Sequence, residues 1–280
     1  MFGFINIYKP KGMTSHDVVS VLRRITKIKQ IGHTGTLDPF AEGVLPICIG
    51  KATRLIEYLE DEKEYLATVQ FGTATTTYDP EGEITSTSDK KISKEELLQE
   101  LENFRGEISQ LPPIYSAIKI KGKKLYEYAR KGETVKIQPR KVFISKLELK
   151  NFDETNQTAE LLIGCSKGTY IRSIAHDLGQ NLKCGGHLTK LVRTKAGKFT
   201  IDNTNPLDNL NVPESLINPL NMLSLPQIEL TKTQHEKILH GQQIENNSNF
   251  ADFVILIYNN AISAVGFADA NKIAVKKVFE

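Results

Sequence analysis

The stretch Ile31–Arg54, "IGHTGTLDPFAEGVLPICIGKATR", places the carboxylate of Asp38 in an apolar segment punctuated by glycines. A residue that precedes proline is biased towards an extended conformation, so the main chain at Asp38 is stiff. Apolar residues at 45, 47 and 49 then alternate as in a buried strand. Asp-Pro is also a common opening of a surface turn. The adjoining strand favours the other interpretation, in which Asp38 is a rigid, half-buried carboxylate available for chemistry.

Strands and helices follow one another irregularly along the rest of the chain. A strand is predicted at 2–9, and a capping-box pattern formed by Thr14 and Asp17 then predicts a helix. Further strands are predicted at "EYLATVQFG" (64–72), "AELLIGCS" (159–166), "FVILIY" (253–258), "AISAVGF" (261–267) and "KIAVKKVF" (272–279), and further helices at 51–60, 93–104, 233–239 and from Tyr170 onward. Four prolines between 206 and 226 predict a linker. This mixed order predicts an α+β fold rather than a regular parallel βαβ array.

Charge is distributed unevenly along the chain, although the net charge is only +3. Residues 1–33 carry six Lys/Arg against one Asp, and residues 115–150 carry eleven against three acidic residues. Residues 51–110 carry seven against fourteen. The segment "IYSAIKIKGKKLYEYARKG" (114–132) interleaves lysines and Arg130 with tyrosines, which suits phosphate contact combined with base stacking. Charge runs are often only solvated faces, but this segregation favours a polyanionic partner such as nucleic acid.

The composition narrows the class of protein. With 280 residues, 40% hydrophobic and 25% charged, the chain is expected to be globular. No apolar run approaches the roughly 18 residues of a membrane span, and the opening residues lack the features of a signal peptide. We therefore expect a cytoplasmic protein without membrane contact. The cysteines at 48, 165 and 184 fit neither a disulfide framework nor a zinc site, so no metal is expected.

Two arrangements look like catalytic motifs but have the wrong spacing. "GVLPICIGKAT" (43–53) has six residues between its glycines where a phosphate-binding loop has four, and Ala52 replaces the hydroxyl that would bind magnesium. Ser15, His16 and Asp17 are consecutive, and consecutive residues of a helix point apart, so they cannot form a catalytic relay. We predict neither an NTPase nor a triad hydrolase.

Six separated motifs run in order along roughly residues 2–200. They are "KPKGMTS" (9–15), "GHTGTLDPFAEGVLPICIGKATR" (32–54), "KEYLATVQFG" (63–72), "QLPPIYSAIKIKGKKLYEYAR" (110–130), "CSKGTYIRSIAHDLG" (165–179) and "HLTKLVRTKAGKF" (187–199). Together they closely resemble the TruB family of bacterial tRNA pseudouridine-55 synthases. Residues 225–280 match less distinctly, and only their position and length suggest an RNA-binding module of the PUA type.

The resemblance implies an isomerase. Such an enzyme detaches one uracil in the T-arm loop of tRNA at N1, turns it, and rejoins it through C5 to the same ribose carbon. The implied fold is the α+β pseudouridine synthase fold, with a central mixed, largely antiparallel sheet flanked by helices. Residues 1–224, including a linker at 206–224, would form the catalytic domain, and residues 225–280 a small β-rich, PUA-like module. No redox change or group donor is involved, so no cofactor is expected.

The resemblance also implies the site residues. Asp38 matches the nucleophile of the family, and Arg172 matches the arginine that keeps this carboxylate ionised, since an arginine partner lowers a carboxylate pKa. The apolar periodicity places Arg172 off the core face of its helix. Tyr65 would be both a catalytic and a substrate-binding residue, lying against the flipped uracil and helping to remove the C5 proton. The other implied substrate-binding residues are His33, Tyr170, Leu191 and Lys9.

Two other functions fit parts of the pattern. One is a tRNA-binding folding chaperone without essential catalysis. The other is a related guide-RNA-dependent synthase, which would need protein partners and a larger tail, and the short C-terminal segment argues against it. We expect a monomer without an obligate protein partner, which binds the T-arm stem-loop of tRNA. The sequence leaves open whether Asp38 attacks the sugar, attacks the base, or removes a sugar proton.

Overall fold

The computed structural model describes residues 1–116, 118–133 and 135–279, and for Arg130 it describes the main chain alone. The strands are β1 (Gly3–Lys9), β2 (Ile31–His33), β3 (Glu42–Ile49), β4 (Lys63–Phe71), β5 (Thr73–Thr75), β6 (Ile84–Thr87), β7 (Gly106–Gln110), β8 (Lys119–Ile120), β9 (Lys123–Lys124), β10 (Arg140–Asp153), β11 (Thr158–Cys165), β12 (Gly186–Ala196), β13 (Phe199–Thr200), β14 (Gln227–Glu229), β15 (Ile244–Glu245), β16 (Phe253–Tyr258), β17 (Ala261–Ala268) and β18 (Lys272–Val278). The helices are α1 (Ser15–Thr26), α2 (Lys94–Leu101), α3 (Leu125–Arg130), α4 (Ile171–Asn181), α5 (Pro219–Met222) and α6 (Lys232–Leu239), with 3-10 helices at Gly50–Tyr58, Glu102–Phe104 and Ile201–Asn203.

A nine-stranded sheet lies at the centre of the protein. Its strands run in the order β1-β3-β12-β4-β11-β10-β7, with β2 beside β3 and β13 beside β12. The described pairings are antiparallel except that of β3 with β12, which is parallel. A second, five-stranded sheet has the order β14-β16-β17-β18-β15. The prediction of a mixed, largely antiparallel sheet with a small β-rich C-terminal module is confirmed.

The two faces of β1 and β3 enter different apolar cores. Ile5 and Leu45 face a core that includes residues of α1, α2 and α4. Phe4 and Val44 face the opposite way, into a core shared with Leu55 and with the C-terminal sheet. Successive residues of a strand point to opposite faces, so a strand covered on both sides is buried at nearly every position, as β1 and β3 are. These two strands therefore lie between the helices and the C-terminal sheet.

The helix starts follow the capping signals in the sequence. The side chain of Thr14 accepts from the main-chain N–H of Asp17, and the side chain of Asp17 accepts in return, as predicted for α1. Ser93 caps α2 in the same way. The helix predicted at 51–60 is a 3-10 helix instead. Among the helices of the described residues, none is long and apolar enough to cross a membrane.

The segment predicted to be a linker packs along the edge of the central sheet. Phe4 and Ile217 exchange two main-chain hydrogen bonds of 3.0 and 2.7 Å. Val212 is buried in the main core. Residues 206–224 do connect the two sheets, but their prolines interrupt regular structure without preventing burial. The segment covers the free edge of β1, which would otherwise expose unpaired main-chain groups.

Helix α4 crosses β12 at a main-chain contact that only glycine permits. A methyl group at Gly179 would lie 2.1 Å from the nitrogen of Gly186 and 2.2 Å from the carbonyl carbon of Gly185. Main-chain atoms of a central strand cannot move aside as a flexible side chain can. We therefore expect Gly179→Ala to lower the free energy of unfolding by about 3 kcal/mol, measured by urea denaturation. Gln180→Ala, at the exposed neighbouring position, is the control, and equal stability of both variants would contradict the packing argument.

Candidate active site

A pocket of about 580 Å³ opens beside the loop that joins β2 to β3. Its wall includes Asp38, Tyr65, Tyr170, Arg172 and Leu191, which come from four separate parts of the sequence. These residues come from the β2–β3 loop, from β4, from the start of α4 and from β12. Pockets of roughly 300–1,000 Å³ hold small molecules, so this volume suits one nucleoside.

The loop that carries Asp38 is held by buried polar groups on two sides. The hydroxyl of Ser15 donates to the main-chain oxygen of Leu37 at 3.0 Å and accepts from its nitrogen at 2.8 Å. The ammonium of Lys9 donates to the main-chain oxygen of Pro39 at 3.4 Å. Each of these contacts fixes a direct neighbour of Asp38. The carboxylate is therefore on a rigid segment.

Arg172 lies against the carboxylate of Asp38. Its Nε is 2.9 Å from Oδ2 of Asp38, and its Nη2 donates to Oδ1 at 3.2 Å. The main-chain oxygens of Thr77 and Tyr115 accept further hydrogen bonds from the guanidinium, at 3.2 and 3.0 Å. Only 5% of the Arg172 side chain is exposed. The apolar periodicity placed Arg172 off the core face of α4, but its side chain is buried there, because it contacts Asp38 and Asp79.

Asp79 is a second carboxylate on the same guanidinium, and the sequence analysis missed it. Its Oδ2 accepts from Nη1 of Arg172 at 3.2 Å, and 3% of its side chain is exposed. Its Oδ1 accepts from the main-chain N–H of Glu81 at 3.0 Å. Asp79 precedes Pro80 in the connection between β5 and β6, and locally this is the pattern of a surface turn. Only the tertiary contact with Arg172 reveals its place in the site.

The groups around Asp38 shift its pKa in opposite directions. Burial raises the pKa of Asp38 above its usual range, Arg172 lowers it, Asp79 raises it, and Lys9 lowers it. The net direction is upward. About a third of the side chain, 34%, remains exposed towards the pocket. Arg172 is therefore the principal group that favours the ionised form of Asp38.

Three apolar or aromatic side chains form the walls around this ion pair. Tyr65 is buried on β4, and burial raises the pKa of its phenol. Leu191 is buried on β12. Tyr170 precedes α4, and the side-chain amide of Gln110 fixes its main chain by bonds of 2.8 and 3.0 Å. A base held between rings can stack without any sequence-specific hydrogen bond, so these walls suit a flat heterocycle.

Two of the residues assigned to substrate binding do not line this pocket. Lys9 is fully buried, and its ammonium donates to the main-chain oxygens of Pro10 at 2.9 Å and Met13 at 2.6 Å. Burial lowers its pKa to about 8. His33 ends β2, one residue before the pocket wall begins at Thr34. The position of Lys9 differs from the expected substrate-facing one, because its charge is used to hold the Asp38 loop.

Arg193 is a further residue that the sequence analysis did not single out. It is fully buried on β12, beside Tyr65 of β4. Its guanidinium donates to the main-chain oxygens of Val44 at 2.6 Å and Gly35 at 3.1 Å. The available signal was an arginine within the apolar strand pattern "KLVRT", which is unusual for a central strand. Arg193 ties the β2–β3 loop to the strand that carries Leu191.

The basic segment lies at the rim of the pocket. It forms the short hairpin of β8 and β9 and helix α3. Tyr115 and Tyr126 contribute to the pocket wall, and the ammonium of Lys124 lies 5.4 Å from the ring centre of Tyr126. The lysines and tyrosines that alternate in sequence are thus neighbours in space. The side chain of Arg130, which the prediction included, lies outside the described residues.

The cysteines and other metal-ligating residues form no second centre in the part of the chain that the structure describes. Cys48, Cys165 and Cys184 are buried and unpaired. Within the described residues, no three or more His, Cys, Asp or Glu side chains are grouped to hold a metal ion.

The fold and the family matches identify the chain as a pseudouridine synthase, an isomerase. The fold is shared with a solved Cbf5-Nop10-Gar1 complex, at a TM-score of 0.74 and 25% identity over 100% of this chain and 84% of that chain. The family described as "TruB family pseudouridylate synthase (N terminal domain)" matches residues 23–171, and "tRNA pseudouridylate synthase B C-terminal domain" matches residues 172–214. The chain belongs to the TruB family.

Curated relatives match over nearly the whole chain. The tRNA pseudouridine synthase B of Caldanaerobacter subterraneus subsp. tengcongensis is 44% identical over 99% of this chain and 99% of its own length. The tRNA pseudouridine synthase B of Carboxydothermus hydrogenoformans is 44% identical over 100% of this chain and 99% of its own. The family resemblance that the six motifs implied is therefore confirmed.

Proposed function

We propose that this enzyme converts the uridine at position 55, in the T-arm loop of tRNA, to pseudouridine, with Asp38 as the nucleophile. The observation that carries the proposal is the contact of Asp38 with Arg172 at the floor of a pocket of nucleoside size. The names of the relatives support tRNA as the substrate. The stiff loop and the guanidinium together present an oriented, ionised oxygen to a bound nucleoside.

The target base must leave the RNA stack before Asp38 can reach it. Extraction of a base costs a few kcal/mol. Stacking on an aromatic ring contributes roughly 1–3 kcal/mol per base, so Tyr65 and Tyr170 could offset much of that cost. Leu191 would contact the base from the β12 side. His33, next to the pocket, would occupy the space in the RNA that the base leaves.

The chemical roles follow from the positions in the pocket. The glycosidic bond between C1′ and N1 would break and a bond between C1′ and C5 would form, while C5 loses its proton and N1 takes one up. Asp38, held ionised by Arg172, would be the nucleophile that assists the first of these steps. Tyr65 would help to remove the proton from C5 after the new carbon–carbon bond has formed. The rearrangement exchanges one bond of uracil for another within a single nucleotide, so the proposal includes no cofactor.

The two sheets belong to two proposed domains with different roles. We propose residues 1–224 as the catalytic domain and residues 225–280 as a PUA-like module that supports it. The basic rim of the pocket, Lys124 and its neighbours, would contact the T-arm backbone. We also propose that the enzyme acts as a monomer in the cytoplasm, where its proposed substrate, tRNA, is used.

The test is release of tritium from a T-arm stem-loop labelled at C5 of its uridines. We expect stoichiometric release from the RNA with the target uridine, and none when cytidine replaces that uridine. A salt series provides a second readout, because contacts with several phosphates make affinity fall steeply as salt rises. Binding of the stem-loop without any release would overturn the proposal in favour of a tRNA chaperone.

A further inference from the structure

Lys63 is a cation at the mouth of the pocket that the proposed reaction does not use. It opens β4 and points to the same face of that strand as Tyr65, two residues away. Two residues of strand span about 7 Å, so Lys63 lies one step further out than the ring that would contact the uracil. Its side chain forms part of the same pocket wall.

The ammonium of Lys63 has hydrogen-bond donors that are not used within the described residues. Among the described residues its one hydrogen bond goes to the main-chain oxygen of Asp61, at 2.9 Å. An ammonium carries three donors, so two remain for a ligand. The nearby carboxylates are engaged elsewhere: Glu62 accepts from Ser145 at 2.6 Å, and Glu64 accepts from Thr194 at 2.9 Å.

The local charge balance also favours an anion. The carboxylate of Asp61 is 2.6 Å from the ammonium of Lys167, whereas Lys63 reaches only the main-chain oxygen of Asp61. Burial lowers the pKa of Lys63, and the charges of Arg193 and Lys167 lower it further, while Asp61 opposes them. The pocket wall therefore contains four cations, Lys63, Lys167, Arg172 and Arg193, and two carboxylates, Asp38 and Asp61. A bound anion would relieve their mutual repulsion.

We propose that Lys63 binds one of the two phosphodiesters that flank the target uridine, an inference that rests on the proposed function. With the uracil beside Tyr65 and the ribose beside Asp38, the continuing RNA backbone must leave through the mouth where Lys63 lies. The phosphodiester is the anionic group of that backbone. Lys63 thus fixes the everted nucleotide from its phosphate, while the rings hold its base.

The test combines a protein variant with a chemical change in the RNA. T-arm stem-loops carry one neutral methylphosphonate, either 5′ or 3′ of the target uridine, and their affinities for wild type and Lys63→Gln are measured by fluorescence anisotropy. We expect Lys63→Gln to weaken binding of the unmodified RNA roughly tenfold, as for loss of a charge-assisted hydrogen bond. One of the two methylphosphonates should weaken wild type by a similar factor and leave Lys63→Gln unaffected.

The controls separate a phosphate contact from a change in folding. Lys63→Arg should retain most of the affinity, and Lys150→Gln, whose side chain pairs with Glu148 further along the sheet, should bind like wild type. Thermal unfolding of Lys63→Gln should match that of wild type. Equal losses for wild type and Lys63→Gln with both methylphosphonates would overturn the assignment of Lys63, even if tritium release is normal. Absence of release by wild type would instead overturn the proposed function.

Discussion

Asp38→Asn is expected to abolish tritium release, with a fall in rate of roughly 10⁴-fold or more, as for loss of a catalytic nucleophile. The amide has nearly the same shape but lacks the anionic oxygen. Arg172 retains Asp79 as a partner, so the variant should remain folded. RNA affinity should persist because the aromatic walls and the basic rim are unchanged. Single-turnover tritium release, together with anisotropy of the same RNA, measures both quantities.

The matched control is Asp89→Asn. Asp89 is exposed in the connection between β6 and α2, and its replacement removes the same charge far from the pocket wall. Its rate should equal that of wild type. If Asp38→Asn released tritium at the wild-type rate, the carboxylate would have no part in the chemistry.

The pH dependence of the wild type should reflect the raised pKa of Asp38. The carboxylate must be ionised to attack, so kcat/KM should fall as the pH decreases through that pKa. Because the pKa lies above the usual value of 3.8, the fall should begin at a higher pH than for an ordinary aspartate. In the proposed mechanism, protonation of Asp38 stops the reaction, so activity should increase with pH across this range.

Arg172→Lys is expected to lower kcat by about 10²–10³-fold, the range for losing a fixed donor that stabilises charge. Lysine keeps the charge but cannot contact both oxygens of Asp38 and also Asp79 in the geometry of a planar guanidinium. The pKa of Asp38 should rise, because Arg172 now lowers it. The acid limb of kcat/KM should therefore move to higher pH, which a pH–rate profile of tritium release measures.

Asp79→Asn is expected to lower the pKa of Asp38, whereas Arg172→Lys is expected to raise it. Asp79 raises the pKa of Asp38, so its removal as a charge should move the acid limb to lower pH. Arg105→Lys, in an exposed pair with Glu102, controls for the loss of a guanidinium. Shifts of the same sign in Arg172→Lys and Asp79→Asn would show that electrostatics at Asp38 do not control the profile.

The parts of the fold that depend on local patterns could be predicted. The capping box at Thr14 marked the start of α1, and the alternation from Tyr65 to Phe71 marked β4. The order of strands could not be predicted, because pairing between distant segments leaves no local signal. Residues 206–224 were expected to be a linker for the same reason: their burial depends on the edge of β1, which only the assembled sheet provides.

The residues of the candidate site also divide into those that the sequence predicted and those that it did not. Family motifs identified Asp38, Tyr65 and Arg172, which the fold brings to one pocket. Asp79 was missed because its surroundings in sequence are those of a surface turn, and Arg193 because the unusual arginine in its strand pattern was not followed up. Both residues belong to the site because of polar partners that are distant in sequence and that only the folded chain brings next to them. Electrostatic partners separated by many residues are the feature that pattern reasoning on a single chain detects least well.

The position of β12 has a consequence for synthesis on the ribosome. This strand is made late, at residues 186–196, yet it separates β3 from β4 in the finished sheet. During translation, β3 and β4 each have one edge without its β12 partner until more than half of the polypeptide has emerged. Such long-range pairing slows folding and leaves aggregation-prone intermediates exposed. The nascent enzyme should therefore depend on holding chaperones until this last central strand arrives.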